Sequence, residues 1–165
     1  IREALRAWLD VTEMTEGTLD GGDVLRLGDR WLVGRSRRTD ERGVRALAAF
    51  VPGEVVPVHV PRGLHLKSAV TALDARTVVV DPTALDPASI ARLGLEVVPA
   101  DEPAGANVMA FGERVLTSRA APRTNARLAA LGYAVTALPL DTFHHADGAA
   151  TCLSLRAPAP GTWCV

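Results

Sequence analysis

The sequence predicts an α/β protein assembled from repeated ββαβ modules. Pairs of short apolar runs joined by a tight turn recur at residues 24–27 with 31–33, 68–72 with 76–80, and 107–111 with 114–117. That is the pattern of a β-hairpin. Each pair is followed by a helical stretch and one more apolar strand, always in that order. The first strands begin near Asp23, Ser68, Asn107 and Cys152, roughly 40 to 45 residues apart, a spacing typical of modular or radial architectures. Three modules and the first strand of a fourth are therefore expected within one 165-residue domain.

Residues 2–9 place Leu5, Trp8 and Leu9 on one helical face. A short strand is expected near residues 11–14. In the first module Gly28-Asp29 turns the hairpin, Thr39 is placed to N-cap a helix over 40–50, and residues 54–60 read as a strand. Pro57 puts that strand at a sheet edge, where a missing N–H costs nothing. In the second module Asp86 caps a helix over 87–93, with Pro87 in its first turn and Gly94 at its end. Residues 95–98 then form the strand. In the third module Gly112-Glu113 makes the turn, a helix over 123–131 stops at Gly132, and residues 133–138 form the strand. Such units bury their faces only with neighbours on both sides.

Bulk properties narrow the function classes. A net charge of −1 gives no electrostatic footprint for nucleic acid. No apolar run approaches the roughly 18 residues needed to span a bilayer, and no basic-then-apolar leader is present. Two cysteines, Cys152 and Cys164, make no disulfide framework, so a reducing, cytoplasmic setting is expected. The chain opens at Ile1 inside a helical pattern and reads as a fragment of a longer protein.

Residues able to do chemistry cluster at the module corners. Asp147-Gly148 is a turn signal, and the apolar run after it reads as a buried strand with Cys152 where loop becomes strand. Asp20 lies in Gly17-Thr18-Leu19-Asp20-Gly21-Gly22-Asp23, and His65 in Gly63-Leu64-His65-Leu66-Lys67-Ser68. The repeat turns these corners toward a common axis. An acid, a histidine and a cysteine brought together there meet the needs of a cysteine nucleophile with an oriented base. Taken singly, each has a plainer reading. Cys152 could be a small buried hydrophobe, His65 a loop histidine satisfied by backbone, Asp20 a turn residue and Arg38 a solvated charge at a helix entry. Asp23 could be a cap on the strand entry or a substrate contact. Trp8, Trp31 and Phe50 read as core, and Cys164 as incidental. His144-His145 with either cysteine fits no standard zinc spacing, so no metal is expected.

The motifs together resemble one enzyme family. Leu19-Asp20-Gly21-Gly22-Asp23-Val24-Leu25, Val33-Gly34-Arg35-Ser36-Arg37-Arg38-Thr39, Leu64-His65-Leu66-Lys67-Ser68, Ala106-Asn107, and Asp147-Gly148 with Thr151-Cys152 are similar to dimethylarginine dimethylaminohydrolases of the guanidine-modifying, or pentein, superfamily. The resemblance runs from about Gly17 to Leu155. It implies a five-bladed α/β propeller of ββαβ modules, with residues 1–165 as a catalytic domain lacking its N-terminal modules. A complete member would also carry an upstream Phe-Val-Glu-Asp-like acidic pair for the substrate guanidinium, and no such motif precedes Asp20. The implied activity is hydrolysis of asymmetric dimethylarginine to citrulline and dimethylamine through a covalent intermediate on Cys152. His65 would be the proton carrier and Asp20 its orienting carboxylate. Arg38 would hold the substrate α-carboxylate, with Ala146 contacting substrate through its backbone and Asp23 as a further substrate-binding candidate. No cofactor is implied. The partner is a small-molecule substrate, without nucleic acid or membrane, and a homodimer is the one assembly held open. The runner-up activity is arginine deiminase, which would release ammonia from unmethylated arginine. Deiminases of the superfamily usually carry His-x-Asp where this chain has His65-Leu66-Lys67, which favours the methylarginine hydrolase. A different class, a catalytically silent pentein-fold binding protein, would have no need of Cys152, His65 and Asp20 together.

Overall fold

The order of hairpin, helix and strand recurs three times in the computed structural model, which describes residues 2–7 and 11–154. The first module comprises β1 (Val24–Leu27), β2 (Arg30–Arg35), α2 (Glu41–Phe50) and β3 (Glu54–His59), preceded by a short α1 (Arg2–Arg6). The second adds α3 (Leu66–Ala69), β4 (Val70–Ala72), β5 (Thr77–Val80), α4 (Pro87–Ala91) and β6 (Glu96–Pro99). The third holds β7 (Met109–Phe111), β8 (Arg114–Ser118), α5 (Pro122–Ala130) and β9 (Ala134–Leu138), and α6 (Asp141–His144) follows it. Each module forms its own three-stranded sheet. The hairpin strands pair antiparallel and the third strand runs parallel to the second, with Val24 opposite Val33 and Val33 opposite Pro57 in the first sheet. Pro57 therefore sits in an edge strand, and Pro99 at the end of β6 does the same in the second.

Module seams hold most of the core. Leu25, Leu27, Leu32 and Val58 of the first module pack with Leu66, Val70, Val78, Val80 and Ile90 of the second. Leu73 and Val79 of the second pack with Ala106, Val108, Val115 and Leu128 of the third. Strand β5 has Val78, Val79 and Val80 buried in succession, so both of its faces are covered. A fully buried aliphatic side chain of this size contributes about 1.5–3 kcal/mol, and here much of that gain needs the neighbouring module. This cross-seam dependence is what fixes the corner loops relative to one another.

Several local expectations are corrected. Asp40, not Thr39, caps α2: its carboxylate accepts from the Gly43 N–H at 2.8 Å. Thr39 instead turns inward, 2% exposed, and donates to Asp23. Residues 11–14 form no strand, and Leu5 is exposed rather than packed. Trp8, Leu9 and Cys164 lie outside the described residues. The strand expected from Ser68 is split, with a single helical turn first and β4 from Val70 only. Cys152 lies in a turn instead of a strand, because its N–H bonds locally to the Ala149 carbonyl at 3.0 Å and no strand among the described residues pairs with it. A strand is stable only through such pairing.

The second and third modules are also tied by charge. Glu102 accepts from the Thr124 N–H and hydroxyl and from Arg123 at 2.8–3.1 Å. Burial works against its charge, but these bonds from Thr124 and Arg123 outweigh it and hold the carboxyl down at about 2. A depressed carboxyl contributes stability above its ordinary value, near 4.5, and loses it as pH falls toward 2. Glu102→Gln is thus expected to lower the melting temperature at neutral pH. The gap from the parent should close between about pH 5 and pH 2 in thermal melts; a pH-independent gap would remove the charge from the account. No helix among the described residues is long and apolar enough to cross a membrane.

Candidate active site

Asp20 caps a single 3-10 turn, Gly21–Asp23, and its two oxygens have different tasks. Oδ1 accepts from the Gly22 N–H at 2.8 Å. Oδ2 faces His65 Nε2 at 3.1 Å and the Arg38 guanidinium at 3.7 Å. The Gly22 N–H is the main force holding the Asp20 carboxyl below its usual range; His65 and Arg38 add to it and burial opposes. Asp20 is therefore a carboxylate at neutral pH. One oxygen of Asp20 thus holds the turn, and the other faces His65 and Arg38.

The loop carrying Asp20 is docked onto α2. The Asp40 carboxylate also accepts from the Thr18 N–H, and Thr18 O accepts from the Asp40 N–H at 3.1 Å. Gly43 makes this possible, since a Cβ there would lie 2.0 Å from the Thr18 carbonyl oxygen. Gly22 plays the same part against His65, where a Cβ would come within 2.5–2.8 Å of the ring. Gly17 and Gly22 thus permit close approach, to α2 and to His65, whereas Gly21 has open space beside it.

His65 stands at the N-terminus of α3 with its side chain 14% exposed. Its Nε2 is buried and within ion-pair distance of Asp20, yet not aligned for a hydrogen bond. Protonation of the ring would convert this contact into a charge pair. The backbone beside His65 is set by Asp23, which is fully buried. Asp23 Oδ1 accepts from the Leu66 N–H at 2.8 Å, and Oδ2 accepts from the Ser36 and Thr39 hydroxyls at 2.7 Å each. Thr39 Oγ1 in turn accepts from the Asp20 N–H. Asp23 therefore does not face open space; it is a bracket beneath the Asp20–His65 pair.

Cys152 is exposed and lines a cavity of about 280 Å³ with Gly63, Leu64 and Ser68, which flank His65, and with Asn107 and Gly148. Its thiol makes no hydrogen bond to His65, so the structure joins Asp20, His65 and Arg38 directly and places Cys152 in the adjoining cavity. The Cys152 loop is held by His144, whose Nδ1 bonds to the Gly148 carbonyl and Nε2 to Ser118 Oγ. A carbonyl only accepts, so Nδ1 carries the proton. Asp147 takes a left-handed backbone (φ 55), which aspartate tolerates better than most residues. Ala146 is exposed in this turn, its N–H committed to the Phe143 carbonyl at 2.9 Å. Arg38 is half-exposed on the rim of a second, open hollow that also contains Asp20 and Gly17. An apolar groove of about 410 Å³ between residues 12–16 and α2 contains none of these residues. Among the described residues no group of three His, Cys, Asp or Glu is placed to hold a metal.

The family model described as Arginine deiminase matches residues 2–103. The chain belongs to the arginine deiminase family. Among curated members of wider likeness, a dimethylarginine dimethylaminohydrolase from Streptomyces coelicolor is 44% identical over 144 residues, covering 85% of this chain and 55% of that protein. One from Pseudomonas aeruginosa is 29% identical over 145 residues, covering 85% and 56%. The chain thus spans about half the length of the curated relatives it matches. A solved structure of a mutant of the Pseudomonas aeruginosa enzyme complexed with citrulline superposes with a TM-score of 0.75 at 27% identity, over 87% of this chain and 58% of that one. This arginine deiminase family member accordingly has the pentein fold of ββαβ modules.

Three residues of the site were visible in the sequence without their task. Gly22 and Asn107 stand there only as parts of motifs and Thr39 as an expected N-cap, whereas in the structure they touch or support the candidate residues. Glycine beside Asp20 was the one available signal for Gly22.

Proposed function

We propose that the chain carries the nucleophile, the base and its orienting carboxylate of a hydrolase converting Nω-methylated arginine to citrulline and an amine. The observation that carries this is the Asp20–His65–Arg38 constellation beside the cavity lined by Cys152. Its agreement in order and type with the residues of the resemblance, and the 44% identity to the Streptomyces coelicolor enzyme, support the same reading.

The chemistry follows from the groups. A guanidinium carbon is a weak electrophile while its charge is delocalised, so the thiolate of Cys152 is needed as nucleophile. Its attack forms a C–S bond. Protonated His65, stabilised by Asp20, gives its proton to the methylated nitrogen, and the C–N bond breaks to release dimethylamine. Neutral His65 then takes a proton from water, whose oxygen bonds to the same carbon. The C–S bond breaks, thiolate is restored, the second proton of the water passes to solvent where it protonates the freed amine, and the neutral ureido group of citrulline remains. One water is consumed and no cofactor is required. An imidazole, able to give and to take a proton near neutral pH, is the side chain suited to both transfers. Arg38, with a planar donor fork, is suited to the substrate α-carboxylate. Ala146 offers its carbonyl, while its N–H is occupied. A reducing cytoplasm would keep the exposed thiol of Cys152 active. We assign Asp23 to the bracket rather than to substrate.

The second reading is arginine deimination, favoured by the description of the matching family. The amine product separates the two. The full-length protein containing these residues should release dimethylamine from asymmetric dimethylarginine and little ammonia from arginine, both read beside citrulline. Ammonia from arginine as the faster reaction would replace the proposal with the deiminase.

A further inference from the structure

We infer that Asn107 is a positioning residue that locks the Cys152 loop to the His65 loop, an inference that rests on the proposed roles of those two residues. Asn107 is 6% exposed and precedes β7. Its Oδ1 accepts from the Thr151 N–H at 3.0 Å, and its Nδ2 donates to Thr151 Oγ1 at 2.9 Å and to the Lys67 carbonyl at 2.8 Å. Thr151 immediately precedes Cys152, and Lys67 lies two residues past His65 in α3. One side chain therefore ties together the two stretches that must present nucleophile and base to a single carbon.

The amide is chemically specified. Thr151 N–H is a donor, whereas the Lys67 carbonyl is an acceptor and Thr151 Oγ1 receives the second Nδ2 proton, a set that only an amide of this length satisfies. The corresponding corner of the first module shows the complementary case. Asp23, just before β1, meets three donors and accepts from the Leu66 N–H, the residue after His65. A carboxylate sits where all partners donate, and an amide where a carbonyl must be met. Asp23 and Asn107 thus brace α3 from both sides, and Asn107 adds the link to Cys152. Asn107 also lines the cavity that Cys152 lines, so a charge placed there would act on the thiol directly.

The test uses the full-length protein with Asn107→Asp, Thr151→Val and Thr151→Ser. Two readouts are taken: steady-state kinetics on asymmetric dimethylarginine, and the pH dependence of Cys152 alkylation by the neutral reagent iodoacetamide, located by peptide mass. Asn107→Asp sets a carboxylate oxygen against the Lys67 carbonyl. It is expected to lower kcat roughly 10- to 100-fold with KM changed less than about threefold. It should also move the alkylation profile upward by about one pH unit, since a nearby anion disfavours thiolate. Thr151→Val should lower kcat, and Thr151→Ser, which keeps the oxygen, should recover most of it. Unchanged kcat and an unshifted alkylation profile in Asn107→Asp would overturn the inference. So would equal losses in Thr151→Val and Thr151→Ser, the pair that decides the matter if Asn107→Asp fails to fold. A parent protein that releases no citrulline would defeat the proposed function alone; the alkylation profiles would still judge the lock.

Discussion

Replacing Cys152 by serine is expected to abolish citrulline formation, with kcat lowered by about 10^4-fold or more and the melting temperature unchanged within a few degrees. The physical basis is local. Cys152 is exposed, forms no disulfide and packs into none of the buried clusters, so its sulfur contributes little to the fold. A hydroxyl at that place would remain protonated at neutral pH, because no group is aligned to take its proton in the resting site. A thiol ionises far more readily than a hydroxyl, and a cationic guanidinium beside it favours the thiolate further. Activity on asymmetric dimethylarginine by the serine variant within tenfold of the parent would remove Cys152 from the mechanism.

Asp23→Ala should have the opposite profile, a large loss of stability together with a loss of activity. The substitution leaves the Leu66 N–H and the Ser36 and Thr39 hydroxyls without their acceptor in a fully buried place. Each abandoned buried group costs about 1–3 kcal/mol, and hydroxyls that rotate to other partners recover part of it. A net loss of about 3 kcal/mol or more is expected, read by denaturant unfolding. The first turn of α3 would loosen, and with it the angle of His65 to Asp20. Asp23→Asn, which keeps one acceptor for Leu66, should lie between. Normal unfolding with a raised KM would instead mean that Asp23 contacts substrate.

Much of this architecture was legible because it is written in local pattern. Hairpins such as residues 24–33 show themselves by short apolar runs around a glycine turn, and α4 by Asp86, Pro87 and Gly94. The four-residue α3 was not legible. Its first N–H is held by Asp23, 43 positions earlier, a bond that no local pattern contains. The turn at Cys152 reads like a strand because Ala149, Ala150 and Leu153 are apolar, yet pairing, not apolarity, decides whether a strand exists. At the site, Asp20 and His65 could be named from motif and spacing and Arg38 from the family resemblance, and the three lie together. Asn107 could not be given its task, since its partners are 40 and 44 residues away in opposite directions. Thr39 was misread for a related reason: as a residue before a helix it looks like a cap, while its hydroxyl is drawn inward by the Asp23 carboxylate.

The covalent step is the centre of this account, and the mass of the Cys152 peptide during turnover tests it most directly. The full-length protein is mixed with asymmetric dimethylarginine, quenched in acid within a single turnover, digested and weighed. The account predicts an added amidino-ornithine group on the peptide containing Cys152, formed as dimethylamine is released and lost as citrulline rises. Full citrulline production with the Cys152 peptide unmodified at every time, or the adduct on another residue, would contradict it.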